Sequence, residues 1–105
     1  LPGRIAMIEH LLKTEPDDVF LNYALALELS NDEATRSQGL DQYFKVLKLD
    51  PEYVPAYYQL GKFYEAEGKN PEAIDILKKG LVFAREKKDL KSVNEFEEAI
   101  FLLED

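Results

Sequence analysis

The chain carries two near-copies of one unit. Displaced by 35 residues, Pro16 falls on Pro51, Val19 on Val54, Tyr23 on Tyr58, Leu25-Ala26 on Leu60-Gly61 and Leu29 on Tyr64. Upstream, Leu12-Lys13 falls on Leu47-Lys48. In the second half of the unit the displacement is 34, placing Gly39 on Ala73, Tyr43 on Leu77 and Leu47 on Leu81. One residue is therefore inserted in the first unit, in the Ser30–Glu33 turn. A period of this size marks supersecondary units that cannot bury their apolar faces alone and stack on their neighbours. The centre of the pattern is the stretch from Asp50-Pro51 to Tyr64, a turn followed by a helix.

Periodicity divides the chain into six helices. The first, Arg4 to Thr14, carries Ile5, Ile8, Leu11 and Leu12 at helical spacing. It ends before Pro16, which drives Glu15 out of the helical region. Asp17-Asp18 supply a cap and negative charge for the second helix, Val19 to Ser30. That helix is apolar on every side and is expected to lie between others. Ser30-Asn31-Asp32 reads as turn and cap. The third, Glu33 to Leu49, turns Leu40, Tyr43, Val46 and Leu47 inward. Gly39 inside it costs about 1 kcal/mol relative to alanine, which points to a close helix–helix approach. The fourth runs from Tyr53 to Glu67. Gly68 then suits a left-handed cap, and Pro71 the first turn of the next helix. The fifth, Pro71 to Lys87, buries Ala73, Ile74, Leu77, Leu81 and Ala84. The sixth, Leu90 to Leu103, sets Leu90, Val93, Phe96 and Ile100 against a remainder rich in glutamate. No segment alternates with period two, so no strand is expected and the fold class is all-α.

Period and pattern together resemble the tetratricopeptide repeat: an aromatic, then Leu-Gly, then Tyr, later a small residue, a second aromatic and a closing proline. The second unit matches at Tyr57, Leu60, Gly61, Tyr64, Gly68 and Ala73, with Leu77 at the second aromatic position. The first matches at Leu25, Ala26, Leu29, Gly39, Tyr43 and Pro51. Asn22 stands where an aromatic is usual, so the first half of that unit is degenerate. Arg85 stands at the closing proline, which implies a fifth helix that runs on for another turn. The resemblance covers essentially the whole chain and implies a small bacterial-type protein with a right-handed α–α superhelix of antiparallel hairpins. It implies a single domain over residues 1–105: a flanking helix at 4–14, the degenerate repeat at 18–50, the second repeat at 51–87 and a capping helix at 89–104.

In this family the first helix of each hairpin lines a concave groove that holds a peptide. Carried onto this sequence, the groove positions are Phe20, Tyr23, Ala24 and Leu27 in the second helix. In the fourth they are Pro55, Tyr58, Gln59, Lys62 and Glu65. Asn94 and Glu98 follow from the cap, where the register is less defined. Tyr23 and Tyr58 are equivalent and are expected to stack along the groove floor. The Lys and Asn clamp that some members use on a C-terminal carboxylate is absent, since Tyr23 and Leu27 occupy two of its places and Gln59 replaces an Asn. Tyrosine combines contact area with a polar tip, which suits an interface. The alternative for Phe20, Tyr23 and Leu27 is plain core.

Other chemistry has little support. The chain has no cysteine, which removes disulfides, thiol catalysis, Fe–S clusters and cysteine zinc sites. No apolar run is long enough to span a bilayer. Leu1-Pro2-Gly3-Arg4 shows no secretory apolar core, which with the missing cysteines fits a cytoplasmic protein; the missing initiator Met suggests a trimmed chain. Thirteen basic against 21 acidic residues give −8, a field that repels nucleic-acid phosphates. Lys78, Lys79, Arg85, Lys87, Lys88 and Lys91 form the densest basic cluster, but cations near a helix C-terminus complement its dipole. His10, the only histidine, follows Glu9 on an amphipathic helix with no triad around it. The pairs Asp17-Asp18, Glu97-Glu98 and Glu104-Asp105 fall at a helix start, a solvated face and the terminus rather than in a cleft. Ser30-Asn31-Asp32-Glu33 lacks calcium-loop spacing, and Gly61 and Gly68 form neither phosphate-loop pattern. No catalytic, cofactor-binding or metal-ligating residues are expected. The reading that remains is a non-enzymatic module that holds a segment of a partner protein. Its alternative is a structural unit that self-associates into a homo-oligomer, the apolar second helix offering a patch to another copy.

Overall fold

The computed structural model describes residues 3–104. Among them are six α-helices and no strand: α1 (Arg4–Leu12), α2 (Val19–Ser30), α3 (Arg36–Leu49), α4 (Val54–Ala66), α5 (Asn70–Glu86) and α6 (Leu90–Leu103). Leu1-Pro2, half of the N-terminal stretch without a secretory core, and Asp105 of the terminal acidic pair lie outside the described residues. The contacts divide the chain into two units, one ending at Pro51 and the other beginning at Glu52.

In the first unit α2 packs against both α1 and α3. Ile8 of α1 meets Leu25 and Leu29 of α2, with Ile5, Leu12 and Ala24 packed around them. Tyr43 and Val46 bring α3 into the core, at 1% and 0% exposure. So α2, apolar all round, does lie between two helices, although Phe20 stays 66% exposed. Two helix ends differ from expectation. α1 stops at Leu12, and the Thr14 hydroxyl donates back to the Leu11 carbonyl at 3.1 Å. The third helix begins at Arg36 rather than Glu33, because Glu33–Thr35 form a 3-10 turn. Asp32 caps this turn, accepting from Ala34 N at 3.0 Å, and Thr35 Oγ1 donates to Leu29 O at 2.6 Å. The extra residue of the first unit falls in this connection.

In the second unit α5 packs against α4 and α6. Leu60, Leu77, Ala56, Ala73 and Ala84 are fully buried and Phe96 nearly so. Two glycines set how closely the helices approach. A methyl at Gly61 would lie 2.5 Å from Leu77 Cγ, and one at Gly80 would lie 2.6 Å from both Phe96 Cζ and Tyr57 Cβ. Gly68 ends α4 at φ +75°, the left-handed cap expected of it. α5 continues past Arg85 to Glu86, 17 residues against 14 in α3. Burial departs from the pattern at several positions. Ile74 is only half-buried, and so is Tyr64, a position of the family pattern, whereas Phe63 beside it is 8% exposed. Leu90, at the first turn of α6, is 74% exposed, because α5 covers α6 around Phe96, Ala99 and Ile100.

Candidate functional site

The α4 face is built around Tyr58. The preceding residue, Tyr57, is 7% exposed and turns inward to Phe83, ring centroids 5.5 Å apart. One step along the helix rotates the next side chain by about 100°, and Tyr58 emerges half-buried beside α6. Its ring and that of Phe96 meet edge to face, with centroids 5.7 Å apart and planes at 75°. Lys62, one turn on, places its ammonium 5.4 Å from the Tyr58 ring centroid, a cation–π distance. The same ammonium lies 3.5 Å from Glu65 Oε1. Tyr58, Lys62 and Glu65 thus form one contiguous cluster, with Gln59 half-buried beside Tyr58 in sequence and Pro55 exposed. Asn94 and Glu98 of α6 are both exposed.

The α2 positions belong to the first unit. Phe20 is exposed; Tyr23, Ala24 and Leu27 are half-buried. The Tyr23 ring lies 6.2 Å from that of Tyr43, tilted by 54°. Ala24 packs on the Ile8, Leu25, Leu29 cluster and so serves the core. Tyr43 is held from the other side by Ser30, hydroxyl to hydroxyl at 3.2 Å. Burial raises the Tyr43 phenol above its ordinary value, and the Ser30 hydrogen bond partly opposes that.

Three features escaped the sequence reading. Asn22, at the degenerate aromatic position, is completely buried and fully used. Its Nδ2 donates to Pro16 O at 3.0 Å and to Asp18 O at 2.8 Å, while its Oδ1 accepts from Gln42 Nε2 at 2.7 Å. The available signal was Gln42 itself, a long amide on the helix facing α2. Gly80 is the second. It lies against the large Tyr57 in the second unit and stands 34 residues after Val46, so the first unit carries a valine at the corresponding position and the smaller Asn22 where the second has Tyr57. The third is Phe96, read as cap core but also the wall against which Tyr58 rests.

Two members of the basic cluster, Lys78 and Arg85 of α5, pair with acidic residues of α6 and its C-cap. Lys78 Nζ lies 3.4 Å from Glu104 Oε2, and Arg85 Nη2 lies 3.3 Å from Glu97 Oε2. His10 is exposed. Among the described residues no three acidic or histidine side chains converge as a metal site would require. No helix among them is long and apolar enough to cross a membrane.

The tetratricopeptide repeat family model matches residues 43–75. Two solved structures of a tetratricopeptide repeat domain protein from Salinibacter ruber are similar. The solution structure is 39% identical with a TM-score of 0.76, over 85% of this chain and 89% of that one. The crystal structure is 38% identical with a TM-score of 0.73, over 82% and 96%. The solution structure of a protein from Bordetella parapertussis shares the fold at 23% identity, TM-score 0.84, over 98% and 89%. A search of curated proteins gives no match.

Proposed function

Because the chain belongs to the tetratricopeptide repeat family, whose members are generally non-enzymatic protein-interaction scaffolds, we propose that it holds a segment of a partner protein on the outer faces of its first hairpin helices. On α4 that face is Tyr58, Gln59, Lys62 and Glu65, extended by Asn94 of α6. On α2 it is Phe20, Tyr23 and Leu27. The two repeats serve this role as one domain.

The observation that carries the reading is the arrangement around Tyr58. A tyrosine ring braced edge to face by Phe96 and covered by Lys62 is already ordered, so little rotamer freedom is lost when a ligand presses against it. Lys62 and Glu65 offer a donor and an acceptor on neighbouring turns, which supplies the polar rim of an aromatic anchor. The test replaces Tyr58 and Lys62 together by alanine and compares captured partners with those of the unaltered protein. Loss of one or more partners, with the helical circular dichroism unchanged, is expected. An identical partner set would overturn the assignment of this face.

A further inference from the structure

The two equivalent tyrosines of the outer faces are held differently. Tyr23 of α2 lies against Tyr43 of α3, the other helix of its hairpin, with ring centroids 6.2 Å apart. Tyr43 is fixed in turn by the Ser30 hydroxyl at 3.2 Å. In the second unit the 34-residue displacement puts Leu77 in the place of Tyr43. Helix α5 thus carries an aliphatic side chain where α3 carries a ring. The aromatic neighbour of Tyr58 comes from α6 instead, and it is Phe96.

Phe96 can act as a wall because its own ring is confined. It is 1% exposed. The tip of the ring reaches α5 at Gly80, where a Cβ would stand 2.6 Å from Cζ and 2.7 Å from Cε1. A side chain at position 80 would bar the ring from this depth. An interior packed this closely holds a side chain in one rotamer. Lys62, on the same helix as Tyr58, is a weaker guide. Its ammonium sits 5.4 Å from the Tyr58 centroid, but on a side chain that is 42% exposed.

We propose that Phe96 is the positioning residue of the Tyr58 site. Seated at the depth that Gly80 permits, it fixes the tyrosine in one χ1 rotamer while touching no partner itself. The inference rests on the reading of the α4 face as the partner-holding surface. It makes that surface conditional on α6 being seated on α5. A partner that needs the ordered Tyr58 strengthens the α5–α6 contact, and loosening of that contact weakens the partner by the same factor. The wall behind Tyr23 lies inside its own hairpin, so no later helix sets its position in this way.

The test reads Tyr58 directly and needs no partner. Three-bond Hα–Hβ couplings and ring resonances of Tyr58 are measured by NMR in the unaltered protein, in Phe96→Leu and in Leu81→Ala. Phe96→Met takes the place of Phe96→Leu if that variant does not fold. Leu81→Ala is the control, since it removes a buried side chain of α5 and leaves the Phe96 ring. The unaltered protein is expected to show the couplings of a single χ1 rotamer and a cross-peak between the Tyr58 and Phe96 rings. In the Phe96 variant the couplings fall to rotamer-averaged values while the helical circular dichroism persists. In Leu81→Ala they stay as in the unaltered protein. Averaged couplings in the unaltered protein overturn the proposal, whether or not a variant folds. So does a single rotamer retained without the Phe96 ring, or equal averaging in Leu81→Ala, which makes the effect a general loosening. Partner capture separates the two readings. If Tyr58→Ala with Lys62→Ala leaves the partner set unchanged, the α4 face fails as a surface and the NMR result on Phe96 stands. If that pair loses partners and the Phe96 variant keeps them all, the positioning role is overturned and the surface stands.

Discussion

Asn22 shows how one residue can depart from a repeat pattern and still complete its core. The amide is sealed from water and bonded on both sides. Replacing it by alanine leaves the Pro16 carbonyl and the Gln42 amide without those bonds. Such orphaned groups cost about 1–3 kcal/mol, and Asn22→Ala is expected to lose that much in urea denaturation. Restoring the aromatic of the family pattern does not repair the site, since Val46 stands where Gly80 makes room for Tyr57. Gly61 is the opposite case, a residue that follows the pattern because nothing larger fits. Its added methyl meets Leu77, which is fully buried and cannot swing aside. Overpacking typically costs about 1–3 kcal/mol, against about 1 kcal/mol gained in helix propensity. Gly61→Ala should therefore be net destabilising by up to about 2 kcal/mol, and less so in a Leu77→Ala background, as a double-mutant cycle would show.

At the scale of the element, the helices were legible because their period and their stops are local. Pro16, Pro51 and Gly68 act within a residue or two of where they stand, and every predicted helix is present. What the pattern misplaced were choices between neighbours, such as Tyr64 against Phe63, which depend on the helix that arrives from elsewhere. The start of α6 shows local chemistry at work. Asp89 accepts from Ser92 Oγ at 2.6 Å and from Ser92 N at 3.2 Å. Those bonds, the side-chain one first, hold its carboxyl below the ordinary 3.8. A carboxyl whose folded value lies below its unfolded one stabilises the fold above the unfolded value, and that contribution is lost as pH falls through the folded value. Asp89→Asn should flatten the decline of stability below about pH 4, measured as the urea midpoint against pH, with little change in the shape of the curve above it.

The whole molecule carries its charge evenly: five basic against nine acidic residues up to Pro51, eight against twelve beyond, −4 in each unit. The ion pairs Arg4–Glu28, Lys62–Glu65, Lys78–Glu104 and Arg85–Glu97 are all at least partly exposed and add little each. Screening should relieve more repulsion than it removes attraction. Raising salt from low to physiological ionic strength is expected to raise Tm by a few degrees; a fall would mean that the surface pairs dominate. The candidate site was less legible than the fold for a related reason. Tyr58 could be assigned to the outer face from its spacing, but its bracing by Phe96 joins residues 38 positions apart, and helical period carries no information over that distance.

The Asn22–Gln42 bond has a further consequence for a chain made of near-copies. Two similar hairpins invite the wrong partners to pair during folding, α2 with α5 in place of α3. By the 34-residue displacement, Ile76 occupies in α5 the place that Gln42 holds in α3. A mispaired α2 would press the Asn22 amide against hydrocarbon, and the error would carry its own penalty. One off-pattern amide thereby labels the first hairpin, and the kinship between the repeats does not become confusion between them.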